Sequence, residues 1–314
     1  MKSVACVGIL VADVIVKSVK EYPEKGLLLP VNSITVHSGG NAMTASINLT
    51  RYGVPSSIIG KVGNDLFGEH LRNVLKDKGV STQGLTVDKE TQTSASVLMI
   101  DSESGERSFF HCVGANAAFS IDDIDFDIIK SSDIVFVTGT FLLKTFDGEQ
   151  TMSFLKKCKE MGKTTVLDVC WDSSGKWGEI LNCCMPYIDF FLPSINEAEE
   201  LSGKKDVEEM AHTFMKNGVG TVVIKCGEDG AFCKTSTENS GVMIPAFKAD
   251  MVLDTTGAGD NFCSGFLAAY ARGLSAEKCA EIGNAAGSYS VGLMGAATGT
   301  ISYEELLNKY GIEG

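Results

Sequence analysis

The sequence predicts a doubly wound α/β fold, a mostly parallel sheet with helices on both faces, joined to a small β-sheet lid. Three observations carry this. At 314 residues the chain is long enough for one large core, since single cores stop growing near roughly 250–300 residues. Runs rich in valine and isoleucine alternate with stretches of helical periodicity along most of its length, the pattern of a parallel sheet covered by helices. Two regions, approximately 13–37 and 91–111, break that rhythm with extended segments.

In chain order, Val4–Ile9 reads as the first buried strand, and helices follow near Ala42–Tyr52 and Phe67–Lys78. TSASVLMI and ERSFFHC, within 91–111, read as strands joined by a DSESG turn, and together with 13–37 they can pair into a second sheet over one end of the core. Strands at Ile134–Val137, Thr165–Val169, Phe190–Pro193 and Thr221–Lys225 then alternate with helices near Gly148–Met161, Glu197–Leu201 and Val207–Asn217. Helices Ala258–Arg272 and Ala276–Val291 close the pattern. With no internal repeat and no linker rich in proline or serine, residues 1–314 read as one domain with a lid inserted in it.

A net charge of −13 argues against a nucleic-acid backbone or an anionic membrane as partner, because both require a basic surface. A nucleotide substrate remains open, provided the chain builds a local positive site from backbone amides, one or two lysines and a metal ion. The ten cysteines are scattered with no C-x-x-C pair and read as reduced thiols. No segment approaches the roughly 20 apolar residues that span a bilayer, and the opening MKSVACVGIL reads as a strand rather than an export signal, which places the chain in the cytoplasm.

The most informative stretch is Asp254–Phe266, DTTGAGDNFCSGF. Gly257 and Gly259 stand at the start of a strongly helical segment, where glycine lets the backbone approach a ligand and the first-turn amides form an anion hole. Asp260 lies in the same turn. A carboxylate there repels phosphate unless it takes a proton from an attacking hydroxyl, as in phosphoryl transfer. On those residues alone, an ordinary capped helix start stays open as the alternative. Neither G-x-x-x-x-G-K-[ST] nor G-x-G-x-x-G occurs, so this is neither a P-loop nor an ordinary dinucleotide site.

DTTGAGDNFCSGFL resembles the C-terminal motif of the ribokinase-like (PfkB-type) carbohydrate kinase family, and three more segments match in order. SGGNAMTASINLTRYG with IIGKVGNDLFG resembles the first motif, PSINEAEEL the N-x-x-E motif, and VIKCGEDGAF the strand and turn beside the nucleotide. The resemblance implies an ATP-dependent kinase acting on a hydroxyl of a sugar or sugar-like acceptor. It gives Gly257, Ala258 and Gly259 the anion hole and makes Asp260 the catalytic base. Asn196 and Glu199 match residues that organise Mg²⁺ and the phosphates, Glu199 reaching the metal through water. Their plain alternative is a helix start with a solvated acidic face.

Lys225, Gly227 and Gly230 fall in the nucleotide-side turn, with a solvent-reaching lysine as the plain alternative, and Asn284 matches a position bordering the adenine, against an exposed helical asparagine. Asp254 and Thr256 resemble positions that hold a monovalent cation such as K⁺. For the acceptor, Asp13 matches an aspartate that binds sugar hydroxyls, and Gly39, Gly40 and Asn41 line the pocket. Arg107 and His111, four apart on a lid strand, point to one face and can reach the acceptor. Thr44 stands where many members have asparagine, which unsettles the acceptor's identity. A nucleoside kinase, with Phe109, Phe110 or Phe141 stacking on a base, is the nearest alternative, and a noncatalytic nucleotide- or sugar-binding regulator a more distant one. Lid strands that pair between copies would make a homodimer.

Overall fold

A computed structural model of the chain describes residues 1–19, 23–101, 107–293 and 301–313. The chain opens with β1 (Val4–Gly8), then crosses into β2 (Val11–Val19) and β3 (Ser33–Gly39). It returns through α1 (Asn41–Arg51), β4 (Ser56–Gly63), α2 (Leu66–Asp77) and β5 (Ser81–Asp88). β6 (Ala95–Asp101) and β7 (Arg107–Cys112) make a second excursion, which ends in α3 (Ala115–Ala118) and α4 (Phe126–Ser131). β8 (Ile134–Thr140), α5 (Glu149–Glu160), β9 (Thr164–Val169), α6 (Trp177–Leu181), β10 (Phe190–Phe191), α7 (Ile195–Ser202), α8 (Val207–Lys216) and β11 (Thr221–Lys225) follow. The strand pair β12 (Ala231–Lys234) and β13 (Val242–Ile244) precedes α9 (Ala258–Tyr270), α10 (Ala276–Ser290) and α11 (Tyr303–Tyr310).

The strands form a nine-stranded sheet in the order β13-β12-β11-β10-β9-β8-β1-β4-β5 and a four-stranded sheet in the order β3-β2-β6-β7. The large sheet is parallel except where β12 pairs with β11 and β13. Alternation along β1 builds both faces: Val4 and Cys6 pack with α1, α9 and α10, while Ala5 and Val7 pack with the α5 and α8 layer. From β1 the chain fills the β4–β5 side first and the β8–β13 side later. The crevice at the carboxyl ends of β1 and β8 is therefore a topological switch point, where open α/β sheets bind ligands.

In the nine-stranded sheet, the five strands expected from the sequence are present, and four others are not legible there. β4 (SSIIGKVG) has a short apolar core interrupted by glycine, and the edge strand β5 (STQGLTVD) is largely polar. β12 and β13 are short and antiparallel, outside the βα rhythm. The strand expected at Phe190–Pro193 is limited to Phe190–Phe191. The helix expected at Glu197 starts earlier, at Ile195, because Ser194 and Glu197 form a reciprocal capping box. Of the DSESG turn, all but Asp101 lies outside the described residues.

The four-stranded sheet has two unlike faces, because cross-strand partners share a face and the next residue along each strand points the other way. Asp13 pairs with His37 and Ser96, and Ser96 with His111, which sets these four side chains on one face. The opposite face carries a row of Val36, Val14, Val97 and Phe110 across all four strands. Among the described residues, no helix is long and apolar enough to cross a membrane.

Candidate active site

Helix α9 begins at a left-handed residue, Gly257, with φ 76°, a conformation that costs glycine little and strains other residues. The buried Asp254 prepares the turn by accepting a hydrogen bond from the Thr256 amide (2.8 Å). Asn261 clamps it from inside the helix, donating from Nδ2 to the Gly257 carbonyl (2.8 Å). Ala258, Gly259 and Asp260 then form the first turn, whose amides and dipole favour an anion.

A cation sits beside this turn. The Lys225 ammonium at the end of β11 flanks Gly259, 3.4 Å from where a Cβ would stand, an ordinary contact distance. Lys225 Nζ donates to Asp168 Oδ1 at 2.7 Å, both groups nearly excluded from solvent. Burial pushes Asp168 up to about 6, against the pull of Lys225. For Lys225, burial alone acts downward, but Asp168 and Glu197 hold the ammonium well above its usual range. With its side chain 13% exposed and its ammonium bonded to Asp168, Lys225 is not the solvent-reaching lysine allowed by the sequence.

Asp260 completes the cluster and accepts a hydrogen bond from Asn41 Nδ2 at 2.7 Å. Burial pushes it up to about 7, with the Asp168 carboxylate adding and Lys225 and Asn41 opposing. Asn41 opens α1. Expected among the residues lining the acceptor pocket, it commits its amide to Asp260, while its Oδ1 accepts from the Cys170 thiol (3.3 Å).

Around the nucleotide-side turn, Gly227 and Gly230 adopt positive φ, and a Cβ on Gly230 would stand 2.0 Å from the Ile244 carbonyl oxygen. Asn284 is buried rather than an exposed helical residue, and its Nδ2 donates to the carbonyls of Ile244 (2.9 Å) and Pro245 (3.1 Å). It ties α10 to the chain after β13. Asn196 and Glu199 lie on α7, whose Ser194 cap bridges in parallel to Lys225 and so joins this helix start to the end of β11. Glu199 forms an ion pair with Lys205.

On the other side of the cluster, Gly39 packs against the Asp13 carboxylate so closely that a Cβ would lie 2.0 Å from Oδ2. Burial pushes Asp13 up to about 6, while the Ser96 side chain acts downward. Ser96 Oγ in turn meets His111 Nδ1 at 3.0 Å. Gly40 is equally tight against Ile9 and Leu10. Arg107 opens β7 opposite Ile100, and its side chain lies outside the described residues. Thr44 is fully buried and its hydroxyl has no hydrogen-bond partner.

The structure adds residues not singled out from the sequence. Asp168 has a visible signal, a lone carboxylate in the buried strand TTVLDV. Asn116 of α3 exchanges two hydrogen bonds with the Leu10 backbone, fixing the link between β1 and β2. Cys170 and Trp171 follow β9, and Cys170 N donates to the Thr140 carbonyl (3.0 Å), joining the loops after β8 and β9.

Comparisons with known proteins give the family and the fold. The sequence pattern of the pfkB family carbohydrate kinase matches residues 1–302, and the chain belongs to that family. It is 27% identical over 295 residues to a 2-dehydro-3-deoxygluconokinase of Bacillus subtilis, covering 90% of this chain and 89% of the relative. It is 25% identical over 310 residues to a nucleoside kinase of Methanocaldococcus jannaschii, covering 98% and 97%. Its fold superposes on an Arabidopsis thaliana ribokinase complexed with ribose and ATP with a TM-score of 0.86 at 24% identity, over 99% of each chain.

The buried pair generates a stability test. Lys225→Met leaves the Asp168 carboxylate unpaired and is expected to destabilise the fold by about 3 kcal/mol, whereas Lys225→Met with Asp168→Leu recovers most of that loss. Urea midpoints check this, and a single variant as stable as the parent contradicts the pairing.

Proposed function

We propose that this pfkB-family kinase transfers the γ-phosphoryl group of ATP to a hydroxyl of a sugar or sugar-like acceptor, with Asp260 as the base. The observation that carries the reading is a carboxylate of raised proton affinity in the first turn of an anion-binding helix, with the Lys225 ammonium beside it. The γ-phosphate seats against the amides of Gly257, Ala258 and Gly259. Asp13 accepts hydroxyl hydrogen bonds from the acceptor, and Gly39 and Gly40 let the chain pack closely around that carboxylate and against Ile9 and Leu10, which aligns one hydroxyl for in-line attack. Asp260 takes that hydroxyl's proton as the O–P bond forms, and ADP leaves. Gly227, Gly230 and Asn284 shape the nucleotide turn. Residues 1–314 act as one domain, with the four-stranded sheet, including Arg107 and His111, as a lid that excludes water.

Mg²⁺ fits the oxygen donors of Asn196 and Glu199 on α7, and the Glu199 carboxylate is 35% exposed and paired with the exposed Lys205, an arrangement a hydrated hard cation can enter. When bound, the metal spreads phosphate charge. Asp254 and Thr256, at the turn before the anion hole, are the place for K⁺. Ten free thiols fit a reducing, cytoplasmic setting. The partner we favour is a second copy of the chain, because Ile34 and Phe110 are 64% and 63% exposed on the apolar outer face of the small sheet.

A nucleoside acceptor is the second reading, favoured by exposed rings on two sides of the crevice. Phe109 shares the lid face of His111 and is 58% exposed; Trp171, beyond β9, is 55% exposed. Trp171 meets Trp177 edge-on at 5.0 Å, and Trp177 meets Phe141 at 5.3 Å. Stacking of a base on such a ring contributes about 1–3 kcal/mol.

ADP formation against a panel of sugars and nucleosides, with and without Mg²⁺ and K⁺, tests these assignments together. Asp260→Asn should retain ATP binding and lose a factor on the order of 10²–10⁴ in kcat, and the parent rate should fall as pH drops through about 7, where the ionised base is lost. Near-normal turnover by the variant sinks the assignment, and no turnover with any acceptor favours a noncatalytic regulator. For self-association, sedimentation equilibrium should show a dimer that Phe110→Glu dissociates; a parent monomer at tens of micromolar overturns it.

A further inference from the structure

Cys170 is linked to Asp260 through one side chain. Its thiol donates to Asn41 Oδ1 (3.3 Å), and Asn41 Nδ2 donates to Asp260 Oδ1 (2.7 Å). An amide held at both ends has only one satisfactory orientation. Flipped, Asn41 would turn its oxygen toward the Asp260 carboxylate and its N–H groups toward a thiol, a weak acceptor. The thiol retains its proton, because burial and the carboxylates of Asp168, Asp260 and Glu197 hold it well above its usual range, with Lys225 opposing. Cys170 is therefore a donor at every working pH and a poor nucleophile. Its own place is fixed by the backbone bond to Thr140 (3.0 Å).

We propose that Cys170 is a positioning residue for phosphoryl transfer, orienting the Asn41 carboxamide so that its N–H holds the Asp260 carboxylate toward the acceptor hydroxyl. The inference rests on Asp260 being the base. It assigns the thiol a role in kcat rather than in binding ATP. The other groups facing Asp260 are Asp168 from β9, Lys225 from β11, Glu197 from α7 and Cys263 from its own helix. None is altered by substituting Cys170, so a displaced acid limb reports the Asn41 contact.

The test compares kcat, the KM for ATP and the pH profile of kcat in Cys170→Ala, Cys170→Val and Cys170→Ser. Valine fills the site without a donor and serves where alanine fails to fold. The donorless variants are expected to lose about 3–10-fold in kcat at neutral pH, the scale of one hydrogen bond. Their KM for ATP should stay within about twofold and their acid limb move to higher pH, because the loosened amide no longer favours the ionised base. Cys170→Ser restores both toward the parent. If Asp260→Asn is inactive while a donorless variant keeps the parent kcat and acid limb, Cys170 has no such role and the base assignment stands. If Asp260→Asn turns over normally, the base assignment falls and takes this inference with it. A serine variant as impaired as valine also overturns the donor role.

Discussion

The ion pair between Lys225 and Asp168, sealed at the foot of α9, sets the conditions for every other group at the site. Burying two charges is expensive, and a well-packed apolar pair often does as well for stability. What the pair supplies is a fixed cation beside the first turn of α9. An acidic chain of net charge −13 thereby carries a local positive group at a helix start. The same pair tunes Asp260. Asp168 raises its proton affinity, Lys225 and Asn41 restrain it, and burial decides the balance at about 7, a value suited to a base working near neutrality.

Backbone economy brings these groups together. Gly257 turns the chain into α9, and Gly39 yields its side-chain space to the Asp13 carboxylate. The sheet order does the rest: β1 leads straight into β2 with Asp13, and β8, β9 and β11 bring the Phe141 loop, Asp168 and Lys225 to the same edge. Between the two aspartates, Asn41 opens α1 directly after the glycine pair. It links the glycine pair to Asp260.

Legibility in the sequence followed how locally each feature is determined. The start of α9 was readable because glycines, an aspartate and a long apolar helix occur within a dozen residues, and helix-terminus physics gives each a role. The buried central strands were readable as apolar runs, whereas β4 and β5 were obscured by glycine and by the polarity of an edge. The partner of Lys225 was not readable, because Asp168 lies 57 positions away and meets it only through strand order. Asn41 and Asn284 show the same limit: each was noticed by position, but the structure gives each amide specific partners, Asp260 and the chain after β13. Thr44, flagged as a departure in the pocket, is instead a buried hydroxyl without a hydrogen-bond partner.

The whole site turns on Asp260, a carboxylate whose ionisation its buried surroundings delay to near neutrality. Carbon-13 NMR of the protein labelled at aspartate carboxyls reads this directly, with Asp260→Asn identifying the resonance by difference. That resonance should titrate with a midpoint near 7. A midpoint near 4, as for an exposed aspartate, would contradict it.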